Sequence, residues 1–222
     1  MLVKYWMTTD VTTADESTSL MKASELMKEK SIKHLPVTKK GRLAGIVSDR
    51  DLKEAQPSDA TLLDIHELKY LLNKVKIKDL MSTNLHTTTA DEVVERAAAQ
   101  MLKYDISALP VVDQEGQLEG IVSKGDLFRA MIAISGIHQA QLQIGLEVED
   151  QPGIVKKVTD VIRAHGGRIV SITTHDEEAP EDFWHLYIRC KGVEDEEALF
   201  GELEENFKFL YRTHYKVDLP GQ

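Results

Sequence analysis

The strongest constraint on this 222-residue chain is a pattern that occurs twice within its first 139 residues. Met7, Thr13, Ala23, Met27, Ile32, Leu35, Pro36 and Val37 return 74 positions later as Met81, Thr87, Ala97, Met101, Ile106, Leu109, Pro110 and Val111. Beyond the next turn the offset is 75, and Gly41, Leu43, Gly45, Ile46, Val47, Ser48, Asp51 and Leu52 return as Gly116, Leu118, Gly120, Ile121, Val122, Ser123, Asp126 and Leu127. Self-similarity of this kind marks a repeated structural unit. The residue gained lies between Lys39-Lys40-Gly41 and Asp113-Gln114-Glu115-Gly116. A hairpin tolerates an insertion there, so the slip in register supports a strand-turn-strand reading.

Each copy can be read locally. Leu20, Ala23 and Met27, and likewise Val94, Ala97 and Met101, share one face of a helix. Ser17 and Asp91 precede these faces and are placed to cap the helices. The apolar runs 32–37 and 106–111 each lead through a glycine turn into a second strand, 43–47 and its counterpart. Ser48-Asp49-Arg50-Asp51 and Ser123-Lys124-Gly125-Asp126 then open further helices, so polar side chains and free backbone N–H groups meet at a corner that attracts anions. The same serines and aspartates also suit simple helix caps. Between the copies, Pro57-Ser58-Asp59 breaks the chain, and Leu62, Ile65, Leu68 and Leu72 predict a short connecting helix.

The last third reads differently. A strand over 141–148, a turn at Asp150-Gln151-Pro152-Gly153, and a helix marked by Ile154, Val158, Val161 and Ile162 and ended by Gly166-Gly167 come first. Strands over 169–173 and 183–190, an acidic helix over 194–207 and a strand over 211–217 complete the order βαββαβ, which is ferredoxin-like.

Charge divides the chain near the same place. Residues 140–222 carry 17 Asp/Glu against 9 Lys/Arg, leaving 20 against 18 for the rest, within a net charge of −10. An acidic second part is repelled by a phosphate backbone, so nucleic acid is not an expected partner. With no apolar run near the roughly 18 residues of a membrane span, and no secretory signal pattern, the expected setting is the cytoplasm, without membrane association. The single cysteine, Cys190, leaves no internal disulfide, and none of the eight histidines has a metal-ligand spacing, so no metal is expected. No GxSxG nucleophile elbow is present, and no catalytic residues are assigned.

The runs Met7-Thr8, Val11-Thr12-Thr13, His34-Leu35-Pro36-Val37 and Gly45-Ile46-Val47-Ser48-Asp49-Arg50-Asp51-Leu52 resemble a CBS motif, named after the regulatory region of cystathionine β-synthase, and the second copy resembles another. The resemblance implies a Bateman-type pair whose cleft holds an adenosine ligand. It implies that Asp51 and Asp126 accept hydrogen bonds from ribose hydroxyls. It places Ser48, Ser123, Thr13 and Thr87 along the ribose and phosphate, and Arg50 and Lys124 as cations for a phosphate. Lys33, His34, Ser107 and Ala108 match positions that offer backbone groups to the adenine edge. Gly125 stands where the first copy has Arg50, and Ala108 where it has His34, so the two clefts should differ, with the Asp51–Arg50 cleft the better anion site.

The last third is similar to an ACT domain, a regulatory module that often binds amino acids between paired copies. Asp150, Gly153, Arg168 and Ile169 match its ligand site, Arg168 standing where the family often has Asn, and pairing alone is the alternative role. The whole order is similar to bacterial CBS-ACT proteins of the acetoin utilisation type. The expected fold class is therefore mixed α/β (α+β): a CBS motif over 1–60, a linker helix over 61–74, a second CBS motif over 75–138 and a ferredoxin-like ACT domain over 139–222. The expected function is non-catalytic: a regulatory sensor with no cofactor, whose ligand is AMP, ADP, ATP or S-adenosylmethionine, acting through rearrangement of a homodimer formed by both modules. The alternatives are a ligand-independent assembly module for a metabolic enzyme partner and, further off, a small enzyme.

Overall fold

The computed structural model describes residues 1–56 and 65–214, so the expected break at Pro57-Ser58-Asp59, Leu62 and the end of the last expected strand, 215–217, lie outside the described residues. The chain divides into two compact units, Met1–Phe128 and Arg129–Gln222.

In the first unit the sequence repeat becomes a structural one. The first copy holds β1 (Ala14–Asp15), α1 (Leu20–Glu29), β2 (His34–Lys39), β3 (Arg42–Ser48) and α2 (Asp49–Glu54). The connecting helix α3 (Ile65–Lys74) leads to the second copy, with α4 (Val94–Lys103), β4 (Ala108–Val112), β5 (Leu118–Ser123) and α5 (Lys124–Ser135). The strands form a sheet of order β1-β2-β3 and a hairpin β4-β5. The predicted helix faces are the buried ones: Leu20, Ala23 and Met27 on α1 pack with Leu35, Val37, Val47 and Leu52, and Leu72 of α3 closes against them. Val94, Ala97 and Met101 on α4 are buried likewise.

The caps differ from expectation. Ser19, not Ser17, caps α1 by accepting from the Lys22 N–H, because Ser17 donates its hydroxyl to Asp15 at 2.6 Å. Val93 stands at the N-cap of α4 without a side-chain bond, since Asp91 is drawn to Lys4 at 2.7 Å. The two hairpin turns account for the slip in register. Lys40 and Gly41 both have positive φ, the signature of a two-residue turn matched to strand twist. In the second copy Asp113 instead accepts from the Glu115 and Gln117 N–H groups, and only Gly116 is left-handed, which makes room for the extra residue.

The two copies exchange their leading segments. The 3-10 helix Val3–Tyr5 bonds to the second copy through Val3 N to Glu92 O, and its counterpart Ile77–Asp79 bonds to the first through Ile77 N to Thr18 O. Thr8 then bridges Ile121 on β5, while Ser82 bridges Ile46 on β3. Each copy's second strand is thus covered by the other copy's leading segment, as an approximate twofold relation requires.

The second unit contains β6 (Leu142–Glu149), α6 (Ile154–Ala164), β7 (Arg168–His175), β8 (Phe183–Lys191), α7 (Glu196–Asn206) and β9 (Lys208–His214), with sheet order β7-β8-β6-β9. This is the ferredoxin-like arrangement expected from the order of elements. Leu142, Ile144, Leu146 and Val148 alternate along β6 and face a core with Val158 and Ile162 of α6 and Leu199 and Leu203 of α7. The opposite face of β6 is polar: Gln143 donates to the Tyr211 hydroxyl at 2.7 Å, and buried Glu147 pairs with Lys208 at 2.9 Å.

Candidate functional site

A cleft of about 530 Å³ opens within the first unit, and both copies line it. From the first come Lys33 and His34 at the start of β2, and Ser48, Arg50 and Asp51 at the β3–α2 corner. From the second come Ser107 and Ala108 at the start of β4, and Lys124 at the start of α5. Thr13, Thr87, Ser123 and Asp126 are not in its lining. The cleft also contains residues not singled out from the sequence. Ser82, Asn84 and His86 come from the exchanged segment of the second copy, and Asp105 and Ile106 from the turn before β4. Ser82, Asn84 and His86 stand at every second position of that segment. Which copy they would serve was not written locally.

The corners are capping boxes. The backbone N–H and hydroxyl of Ser48 both donate to Asp51 Oδ2 at 2.7 Å, and the Asp51 N–H donates back to Ser48 Oγ. Ser123 and Asp126 repeat the arrangement. The cap fixes the carboxylate and occupies Oδ2. Among the described residues Asp51 Oδ1 has no partner, and it belongs to the cleft wall. Asp126, by contrast, is only 5% exposed, so the two corners are chemically unequal.

The copies meet at His34, whose Nε2 lies 2.7 Å from Ser107 Oγ. Backbone bonds reinforce the crossing: Asp49 N–H donates to Lys33 O, and Lys124 N–H donates to Ser107 O. Burial holds the His34 imidazole below its ordinary value; the Asp51 carboxylate pulls it up, and the Lys33 ammonium pushes it further down. Hydroxyl, carboxylate and cationic groups thus share a space large enough for a nucleoside ligand.

The CBS domain family matches residues 3–58 and 77–133. The chain belongs to this family. Among curated relatives, homoserine O-acetyltransferase from Methanococcus vannielii is 32% identical over 123 residues, 55% of this chain and 23% of that protein. The chain therefore spans about a quarter of the length of such relatives. The solved CBS domain pair of protein MJ0100, in complex with 5′-methylthioadenosine and S-adenosyl-L-methionine, is 31% identical. That match covers 60% of this chain and 97% of the other, with a TM-score of 0.51. A Vibrio cholerae protein assigned to acetoin utilization (AcuB) is 28% identical, covering 61% of this chain and 93% of its own, also at 0.51.

In the second unit a hollow of about 270 Å³ is lined by Glu147, Glu149, Gln151, Lys157, Asn206 and Lys208, among others, and Asp150 and Gly153 are not in its lining. Gly153, at φ +87°, begins α6 without a side-chain cap. Arg168 and Ile169 are not brought to it: they pair with Lys191 and Cys190, whereas Glu149 pairs with Phe183 at the other end of the sheet. Among the described residues no group of three His, Cys, Asp or Glu side chains is placed to hold a metal.

Proposed function

We propose that this CBS protein is a non-catalytic regulatory sensor whose first cleft takes an adenosine ligand, with AMP, ADP, ATP and S-adenosylmethionine as the candidates. The observation that carries the reading is the cleft shared by both copies, where Asp51, Ser48, Lys33, His34, Arg50, Ser107, Ala108 and Lys124 converge. Asp51 receives the ribose hydroxyls and the cations receive the phosphate. The adenosine compounds bound by the solved CBS pair support the ligand class. Thr13, Thr87, Ser123 and Asp126 belong, on the same reading, to the second, weaker cleft. Relatives named as enzymes share only about a quarter of their length with this chain, so their activity is not carried over to it.

The second unit serves, in this proposal, as an ACT-type pairing module within a homodimer, with the motifs divided as 1–60, 75–138 and 139–222. Asp150 and Gly153 in the turn between β6 and α6, and Arg168 and Ile169 at the far end of the sheet, are its candidate ligand contacts. A ligand-driven change between the CBS copies biases this pairing or the surface offered to a metabolic enzyme in the cytoplasm. Such coupling needs only about 1 to 3 kcal/mol. Among the described residues no helix is long and apolar enough to cross a membrane.

A thermal-shift screen against adenosine compounds, guanosine compounds and amino acids tests the reading. A ligand at a hundred times its Kd adds about 2.7 kcal/mol, a selective rise of several degrees. No shift with any adenosine compound favours a ligand-independent assembly module.

A further inference from the structure

Three cations, Lys33, Arg50 and Lys124, line the first cleft. Lys33 precedes β2, Arg50 lies in the first turn of α2 and Lys124 opens α5; among the described residues none has an ion-pair partner. Two of them are held around one contact. Lys33 is the chain neighbour of His34, and Lys124 is bonded through its N–H to Ser107, whose hydroxyl touches His34. Burial and the neighbouring Lys33 ammonium disfavour protonation of the His34 imidazole. The carboxylates in the cleft answer them only in part: Asp51 favours the proton on His34. Asp49 holds Lys53 at 2.6 Å, and Asp51 turns Oδ2 into its own cap at 2.7 Å. Asp105 lies on the second copy, in a left-handed turn at φ +50°.

We propose that this cleft selects a phosphate-bearing adenosine ligand over an uncharged or sulfonium one, and that His34 takes up a proton from solvent as the phosphate enters between Lys33, Arg50 and Lys124. The proposal rests on the cleft being the adenosine site. A phosphate monoester brings about −1.5 to −2 charges at neutral pH, enough to reverse the local balance. Sharing the cleft with His34 are Lys33 just before its strand, Asp49, Arg50 and Asp51 from α2, Lys124 from α5, Asp105 from the turn before β4 and His86 from the exchanged segment. Burial and the Lys33 ammonium resist its proton, the Asp51 carboxylate favours it, and an incoming dianion adds to the favourable side. Both ring nitrogens of the imidazolium then donate, so the contact with Ser107 survives the change. A methylthio group offers these cations nothing, and a sulfonium opposes them.

The test is calorimetric titration of the full chain with AMP, adenosine and 5′-methylthioadenosine at pH 7, in two buffers of different protonation heat, for wild type, His34→Gln and Lys124→Gln. AMP is expected to bind at least about tenfold more tightly than the two uncharged compounds. Wild type should take up more protons per AMP than His34→Gln, a difference that removes the phosphate's own titration. Lys124→Gln should weaken AMP several-fold and leave adenosine unchanged, which keeps the test independent of the histidine variant. Equal affinity for AMP and 5′-methylthioadenosine overturns the selectivity, and equal proton uptake in wild type and His34→Gln overturns the role of His34. Binding of none of the three overturns the adenosine site itself.

Discussion

Gly45 and Met81 lie so close that a methyl group on Gly45 would come within 2.4 Å of the Met81 sulfur. The relation is repeated by Gly120 and Met7, at 2.7 Å. These two glycines admit the exchanged segments onto β3 and β5, next to the bridges of Ile46 with Ser82 and of Thr8 with Ile121. They recur in the sequence because a side chain there would push away the other copy's backbone: Ser82 O and Thr8 O stand at 3.1 and 3.0 Å from the same added atoms. Gly45→Ala is expected to destabilise the first unit by about 1 to 3 kcal/mol, the usual cost of overpacking. Adding Met81→Ala should recover part of that loss. Denaturant unfolding of the two variants checks it, and simple additivity would contradict the contact.

The unequal corners separate binding from stability. Asp51→Ala should weaken AMP binding by about 1.5 to 3 kcal/mol, roughly ten- to a hundredfold, and cost about 1 kcal/mol of stability through the lost cap. Asp126→Ala removes the same cap bonds from a buried setting. It should leave affinity within about threefold while costing about 1 to 3 kcal/mol of stability. Paired calorimetric and unfolding measurements distinguish the two outcomes, and matching affinity losses would mean that the corners are equivalent.

Acidification bears on His34 with a definite sign. Folding lowers its proton affinity below the ordinary value of 6.5, chiefly by burial, so the unfolded chain binds more protons in this window. The stability contributed by the neutral imidazole is present above pH 6.5 and is lost as the pH falls through the folded value. The unliganded protein should therefore show a component of stability that declines as the pH falls below 6.5 and is absent in His34→Gln. Unfolding midpoints across that range measure it; parallel profiles for the two proteins would remove His34 from the linkage.

Cys190 reports on the second unit. It is fully buried in the β8 wall of the core, and burial raises its thiol to about 11. A thiol reagent at pH 8 should react with it only through opening of the unit, far more slowly than after unfolding. Leu146→Ala, in the same core, should cost about 2 to 5 kcal/mol and speed the labelling. Rapid labelling of the native protein would contradict the buried placement.

The repeat, the helix faces and the ferredoxin-like order were legible because each is written in local periodicity: Leu20, Ala23 and Met27 point one way whatever surrounds them. The caps were less so, since Ser17 and Ser19 are equally suited chemically and only the competing bond to Asp15 decides between them. The exchange of leading segments carries no local signal at all. Val3 follows helical and apolar preferences, but that its amide bonds Glu92 O depends on a contact between distant parts of the chain. For the same reason Asp51, Ser48 and Lys33 were readable as site candidates, whereas Ser82, Asn84 and His86 were not: their own copy does not contain the cleft corner they face.

The central claim is that one adenosine ligand sits in the cleft shared by the two copies. A crystal structure of the full chain grown with AMP tests it most directly. The account predicts the ribose against Asp51 and the phosphate among Lys33, Arg50 and Lys124, with the His34–Ser107 contact alongside. AMP bound elsewhere, or this cleft left empty at saturating AMP, would contradict it.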